Sequence, residues 1–340
     1  MQPVSGSSAI RSRHAPAALI ASLVAAFLLL AASPVGAHGP DALGTLNPPP
    51  GVNVLDCKPD AAHPYPVILA HGTTGNAHDD WGYLGPEIKK AGWCVWALDY
   101  GDTGHYPYDA TGPVIESARQ FGRFVDQVRA LSAAPDGTEP KVQVVGFSQG
   151  GDLPRYWMRY LGGAAATAGL VGISPMTHGS DGVLWHLLPV IAPYCVACTD
   201  EYPGSAYKTV ENQGGVETLP GIRYTVLATH QDELVTPWRA QFLAGPAAMV
   251  SNHAIQDFCP GAISGHLGML TSPEVRDLVI DALAHGGRLG DDVRPACRGL
   301  FGDAASVVSE DVGRSSKLVL DNLLGRLGDP PHGFGGLPNP

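Results

Sequence analysis

Charge is scarce in this chain, and positive charge is scarcest. Only 16% of the 340 residues are Asp, Glu, Lys or Arg, and 21 basic residues face 32 acidic ones, for a formal net charge of −11. No Lys/Arg-rich run occurs in the body of the chain. Phosphate binding needs a basic face, so nucleic acid is not an expected partner. The acidic excess favours solubility and names no ligand. Clusters of His, Asp and Glu at metal-ligand spacing are also missing, so neither a metal nor another cofactor is expected. No internal repeat and no internal linker is evident. With 44% hydrophobic residues, the length suits one large domain with a well-buried core. The 43 glycines and 30 prolines imply many loops on an ordered scaffold.

The N-terminus reads as an export signal. Arg11, Arg13 and His14 form a basic stretch, Ala15 to Ala32 is apolar, and Val35-Gly36-Ala37 supplies small residues for cleavage. Residues 1–37 are therefore expected to be removed and the product secreted. An uncleaved anchor is the competing reading, because the apolar run approaches spanning length. Ser12 separates the two arginines, which argues against a twin-arginine route.

Six cysteines fit an oxidising compartment: Cys57, Cys94, Cys195, Cys198, Cys259 and Cys297. They allow about 15 pairings. Proximity along the chain favours Cys57–Cys94, Cys195–Cys198 and Cys259–Cys297. A redox or zinc role for Cys195-x-x-Cys198 is the alternative, and it lacks a second CxxC.

Short apolar runs bounded by turn residues predict strands at 66–70, 93–98, 141–147, 170–173 and 222–228. Helical spacing predicts helices at 115–131, 150–161 and 273–284, the last opened by Ser272-Pro273. Strands alternating with helices indicate an α/β fold, with a mostly parallel sheet covered on both faces. Residues 176–217 break the alternation and read as a cap-like insertion over the carboxyl edge of the sheet. The main domain is expected over 38–298. Residues 299–340 are expected to hold a C-terminal helix and a disordered tail.

The strongest local signal is Gly146-Phe147-Ser148-Gln149-Gly150, a G-x-S-x-G between a strand and a helix. A serine there sits on a sharp turn with its hydroxyl lifted off the sheet edge. His71-Gly72-Thr73 follows an earlier strand, where a loop N–H completes an oxyanion hole. Thr73 and Gln149 are the candidate donors. The acid should follow a later strand, which points to Asp232, with Glu233 and Asp257 as rivals. The base should follow the acid. His253, His266, His285 and His332 qualify by order, and His266 lies in a glycine-flanked loop before the last strong helix. Ser148, Asp232 and His266 together predict acyl transfer without a metal.

These residues resemble a known group. The stretches NPPPGVNVLDCKPDAAHPYPVILAHGTTGN, GWCVWALDYG, KVQVVGFSQGGDLPRYWMRYLGGA, LVGISPMTHG, CVACTD, YTVLATHQDELVTP and QDFCPGAISGHLG are similar to secreted actinobacterial lipases of class 2, within the α/β-hydrolases. The resemblance runs from about Asn47 to Asp281. It implies the same triad, an extracellular enzyme acting on acylglycerols or simpler carboxylic esters, and disulfides rather than metal at the cysteines. Transient contact with a lipid interface and a monomeric state are the associated expectations. Phe147 departs from the pattern, since such lipases usually carry histidine before the serine. An acyltransferase with the same acyl-enzyme, and a hydrolase-like protein without activity, are the competing functions.

Overall fold

The structure is a computed structural model that describes residues 44–103, 109–182, 185 and 188–297. The expected export signal and the expected C-terminal helix and tail lie outside the described residues. Among the described residues, no helix is long and apolar enough to cross a membrane.

Six strands form one sheet in the order β2-β1-β3-β4-β5-β6: β1 Val67–Ala70, β2 Val95–Leu98, β3 Val142–Phe147, β4 Thr167–Ile173, β5 Arg223–Ala228 and β6 Val250–Ala254. Every pairing is parallel. Parallel neighbours need crossover connections, and helices supply most of them. These are α1 Ala77–Trp81, α2 Leu84–Lys90, α3 Val114–Leu131, α4 Leu153–Tyr160, α5 Leu188–Ile191, α6 Val196–Asp200, α7 Ala206–Glu211, α8 Ile255–Phe258 and α9 Pro273–Ala284. Together they make the doubly covered sheet of an α/β-hydrolase fold.

The strands alternate side chains between two apolar cores, as a period of two requires. Ile68, Trp96, Val144 and Tyr224 face the layer of Phe121, Val125, Leu153 and Trp157 from α3 and α4. Leu69, Val95, Val145 and Leu227 face Leu84 and Ile88 of α2 and Val275, Leu278 and Val279 of α9. Each such side chain contributes roughly 1.5–3 kcal/mol by leaving water. A strand buried on both faces is apolar at almost every position, which is why short apolar runs located most of the sheet.

The differences from expectation are local. Residues 150–161 are not one helix: a 3-10 turn spans Ser148–Gly151, and α4 begins only at Leu153, with proline in its first turn. β4 starts three residues before Leu170, because Thr167 and Gly169 pair with β3, across an irregularity at Ala168, without an apolar pattern to announce it. α1 and α2 are too short to stand out in sequence. The Asn76 cap of α1 accepts a hydrogen bond from Asp79 N–H, whereas α2 has no side-chain cap at its start.

Three disulfides form, Cys57–Cys94, Cys195–Cys198 and Cys259–Cys297, the pairs expected from proximity along the chain. The first closes a loop of 37 residues across the edge strand β2. Replacing both Cys57 and Cys94 by serine should destabilise the fold by about 2–4 kcal/mol through restored freedom of the unfolded chain. A urea unfolding curve with an unshifted midpoint would contradict this.

Candidate active site

In the sheet order, β1 is flanked by β2 on one side and β3 on the other. The order of winding therefore reverses at β1, and a crevice opens at the carboxyl ends of β1 and β3. The loop His71-Gly72-Thr73 leaves β1 there. Ser148 leaves β3 beside it, with Ala70 and Gly146 in register.

Ser148 adopts φ +53°, a left-handed conformation that a non-glycine residue holds at a cost. Close packing enforces it. A Cβ on Gly150 would meet Ala70 O at 2.0 Å, so the turn after the serine lies directly on β1. A Cβ on Gly72 would meet Ser148 Cβ at 3.2 Å, so the β1 loop touches the serine itself. Ser148 keeps 8% of its surface exposed.

Asp232 follows β5 and is buried. Its Oδ1 accepts the N–H groups of Leu234 (3.0 Å) and Val235 (2.7 Å). Its Oδ2 accepts from Gln241 Nε2 (2.9 Å) and from His266 Nδ1 (2.9 Å). Burial alone would raise this carboxyl group, but the hydrogen bonds and charge of His266 and the Val235 N–H prevail and hold it below the usual carboxylate range. An ionised Asp232 can only accept, so the proton between the two belongs to His266 Nδ1. When the ring is neutral, this leaves Nε2 as its lone pair.

His266 is 2% exposed, and its ring lies 4.7 Å from the Phe147 ring. The imidazole thus packs against the residue that immediately precedes Ser148. Its backbone is fixed too: His266 N–H donates to Glu233 Oε2 at 3.0 Å. Glu233, a rival for the acid, therefore holds the histidine loop instead. The other rival, Asp257, accepts from Ala254 N–H at the start of α8. His253 lies on β6 and His285 caps α9, both away from this arrangement. His332 is outside the described residues.

The two candidate oxyanion residues meet through their side chains. Gln149 Nε2 donates to Thr73 Oγ1 at 3.1 Å and to Ala110 O at 3.1 Å. Thr73 Oγ1 donates to Glu201, at 2.9 Å to Oε2 and 3.1 Å to Oε1. Sequence reasoning passed over Glu201, since nothing in CTDEYPGS marks the acid as reaching a loop 128 residues earlier. It also missed Gln241, and Asp80, whose Oδ2 accepts from Gly72 N–H at 2.7 Å.

His71 is structural. It is buried, stacks on Tyr100 at 4.2 Å, and its Nδ1 bonds Gly72 O at 2.9 Å. Burial lowers its pKa, which keeps the ring neutral. Among the described residues, His71, Asp99 and Asp109 offer ligand atoms within 4.8 Å of one another. Both nitrogens of His71 are already engaged, by Gly72 O and by Tyr100 N–H, and this makes it a poor metal ligand.

A buried ionic network locks the segment between β4 and β5 to the serine turn. Lys208 of α7 bonds Asp152 and Glu211, the latter at 3.0 Å. Arg155 of α4 bonds Asp152 at 3.2 Å and Asn212 at 2.7 Å. Burial works against charge on both cations. The carboxylates of Asp152 and Glu211 overcome it and raise both pKa values.

Residues 64–178 match the family of class 2 lipases. Lipase B of Aspergillus fumigatus has a similar structure, with a TM-score of 0.58 and 20% identity, covering 95% of this chain and 81% of that one. A monoacylglycerol lipase of Paleococcus ferrophilus aligns with a TM-score of 0.45 and 16% identity, over 66% of this chain and 96% of its own. The mature lipase BlEst2 of Bacillus licheniformis aligns at 0.44 and 14%, over 63% and 89%. No curated protein sequence matches the chain. The lipase B likeness supports the α/β-hydrolase fold. With the family match on that fold, the chain is a carboxylic ester hydrolase.

Asp80 yields a test of the β1 loop. Burial pushes its carboxyl group up from 3.8 to about 7, opposed by the Gly72 N–H bond. Folding thus favours the protonated acid. That contribution is intact below pH 3.8 and is lost as pH rises through about 7. Asp80→Asn keeps an acceptor for Gly72 N–H and removes the titration. Its unfolding midpoint should vary less between pH 4 and 8 than that of the unmodified protein. Identical pH profiles would refute the assignment.

Proposed function

We propose that the chain is a secreted serine hydrolase that cleaves carboxylic esters, acylglycerols among them, through an acyl-enzyme on Ser148. The observation that carries this reading is the Asp232–His266 hydrogen bond, set beside a left-handed Ser148 by the Phe147 contact.

The chemistry follows from the roles these groups are fit for. His266 Nε2 accepts the Ser148 proton as Oγ attacks the ester carbonyl carbon. Asp232 orients the ring and stabilises its cationic form. The N–H groups of Thr73 and Gln149 receive the negative oxygen, each donor worth about 2.7–4 kcal/mol at the transition state. The tetrahedral intermediate collapses, and the alcohol leaves with the proton from His266. Water then adds to the acyl carbon as His266 takes its proton, and the bond to Ser148 Oγ breaks with that proton returned to Oγ, releasing the carboxylic acid.

The lipid part of the reading is supported by the surface around the base. Ile263 and Leu267, either side of His266, are 80% and 60% exposed. Tyr194, Val196 and Tyr202 add exposed apolar surface on the segment between β4 and β5. Apolar side chains at the rim of a polar site suit a substrate with long acyl chains. Export is supported by the basic-apolar-small pattern before Ala37 and by three disulfides, which persist in oxidising compartments.

Ser148→Ala should fold normally and lose nearly all turnover of p-nitrophenyl butyrate; turnover equal to the unmodified enzyme would end the serine mechanism. Asp232→Asn should lower kcat on the order of 10⁴-fold, the scale known for a wrongly protonated histidine in serine proteases. A near-normal rate in that variant would place the acid elsewhere, with Glu233 the first to examine.

A further inference from the structure

One acid outside the triad reaches the oxyanion loop. Glu201 caps the C-terminal end of α6 and is 1% exposed. Its backbone is held from several sides. The Cys195–Cys198 disulfide closes the first turn of α6, Ala197 N–H donates to Thr111 O, and Ser180 N–H donates to Glu201 O. The carboxyl group faces Thr73 Oγ1, which itself accepts from Gln149 Nε2. A chain of hydrogen bonds therefore joins the side chains of the two residues assigned to the oxyanion hole and ends on an acid. The Gln149 side chain also acts on that acid, opposing the rise of its pKa. Its Oε1 is buried and has no partner among the described residues.

A hydroxyl carries one proton. While Glu201 is a carboxylate it can only accept, so the Thr73 O–H is committed to it. Once Glu201 carries a proton, its own O–H can donate to Thr73 Oγ1. The Thr73 hydroxyl proton is then released for another acceptor.

We infer that Glu201 is a positioning residue for the reaction: in its protonated form it frees the Thr73 O–H to join the Thr73 and Gln149 N–H groups as a third donor to the substrate's carbonyl oxygen. The inference rests on the Ser148 reading given above.

The surroundings favour the protonated form near neutrality. Burial pushes the Glu201 carboxyl group up to about 8. Lys208 on α7 and the Thr73 hydroxyl oppose the rise, and the negative charge of Asp152 adds to it. Lys208 is already shared between Asp152 and Glu211, so it offers Glu201 no dedicated counter-charge. Tyr100, next to β2, also faces Glu201, and its own ionisation is pushed well above 10.

The test is a pH profile of kcat and KM on a short p-nitrophenyl ester, using the full chain between pH 6 and 10. The unmodified enzyme should lose roughly tenfold or more in kcat on the alkaline side, with KM steady, as one donor to a developing charge is withdrawn. Glu201→Gln presents a permanent N–H donor, so its alkaline fall should disappear. Thr73→Val keeps the backbone N–H but has no hydroxyl to release, and its profile should also be flat there, from a lower plateau. An alkaline fall at the same pH in both variants overturns the inference, as does an unmodified enzyme with no fall. If Glu201→Gln does not fold, judged by circular dichroism, the Thr73→Val profile decides. Labelling of Ser148 by a fluorophosphonate, located by mass spectrometry, runs alongside. An unlabelled serine defeats the serine reading itself, whereas a labelled serine with the fall retained defeats only the role of Glu201.

Discussion

The central constraint is steric, the contact between the serine turn and β1. Gly150 packs on Ala70 O so closely that no side chain fits, and Ser148 is held in a left-handed conformation as a result. Such a residue costs of order 1–3 kcal/mol and persists only when its surroundings overdetermine it. Here they do. β3 and β1 are fully buried central strands, α4 is packed against α3, and Asp152 is tied into a network of buried charge. The same contact that strains the serine also sets the β1 loop against it, so nucleophile and oxyanion donors are positioned by one piece of packing.

Around that contact, each chemical group is also held by a neighbour outside the proposed triad. Asp232 is fixed by two backbone N–H groups and Gln241. His266 is fixed by Asp232 at its ring and by Glu233 at its backbone. The β1 loop is fixed by Asp80 at Gly72 and by Tyr100, which donates to His71 O. Catalytic precision in such sites depends on supports of this kind, because small displacements of donors and bases are costly.

Legibility in the sequence followed the physics of each part. The central strands were visible because burial on both faces writes a continuous apolar run, as in Val142–Phe147. The first turn of α9 was visible because Ser272 and Pro273 are strong local signals. Ser148, Asp232 and His266 were named from motif, strand order and loop position, and the coordinates bring Asp232 and His266 together and set the His266 ring against Phe147. Glu201, Gln241 and Asp80 were not legible. Their partners lie 128, 9 and 8 residues away and involve backbone atoms or side chains of ordinary composition, so no spacing rule marks them. The break between the 3-10 turn and α4 escaped for a related reason: it is imposed by packing on β1, not by local propensity.

The ionic lock between Asp152, Arg155, Lys208 and Glu211 has a consequence for how this fold can change over time. Two of these charges come from the helix that follows the nucleophile and two from the segment between β4 and β5. Deleting that segment would leave Asp152 and Arg155 paired only with each other, stripped of Lys208, Glu211 and Asn212. Variation there is therefore expected to travel in matched sets, and a foreign cap grafted onto this scaffold would have to bring polar partners for the sides of Asp152 and Arg155 that Lys208, Glu211 and Asn212 now fill.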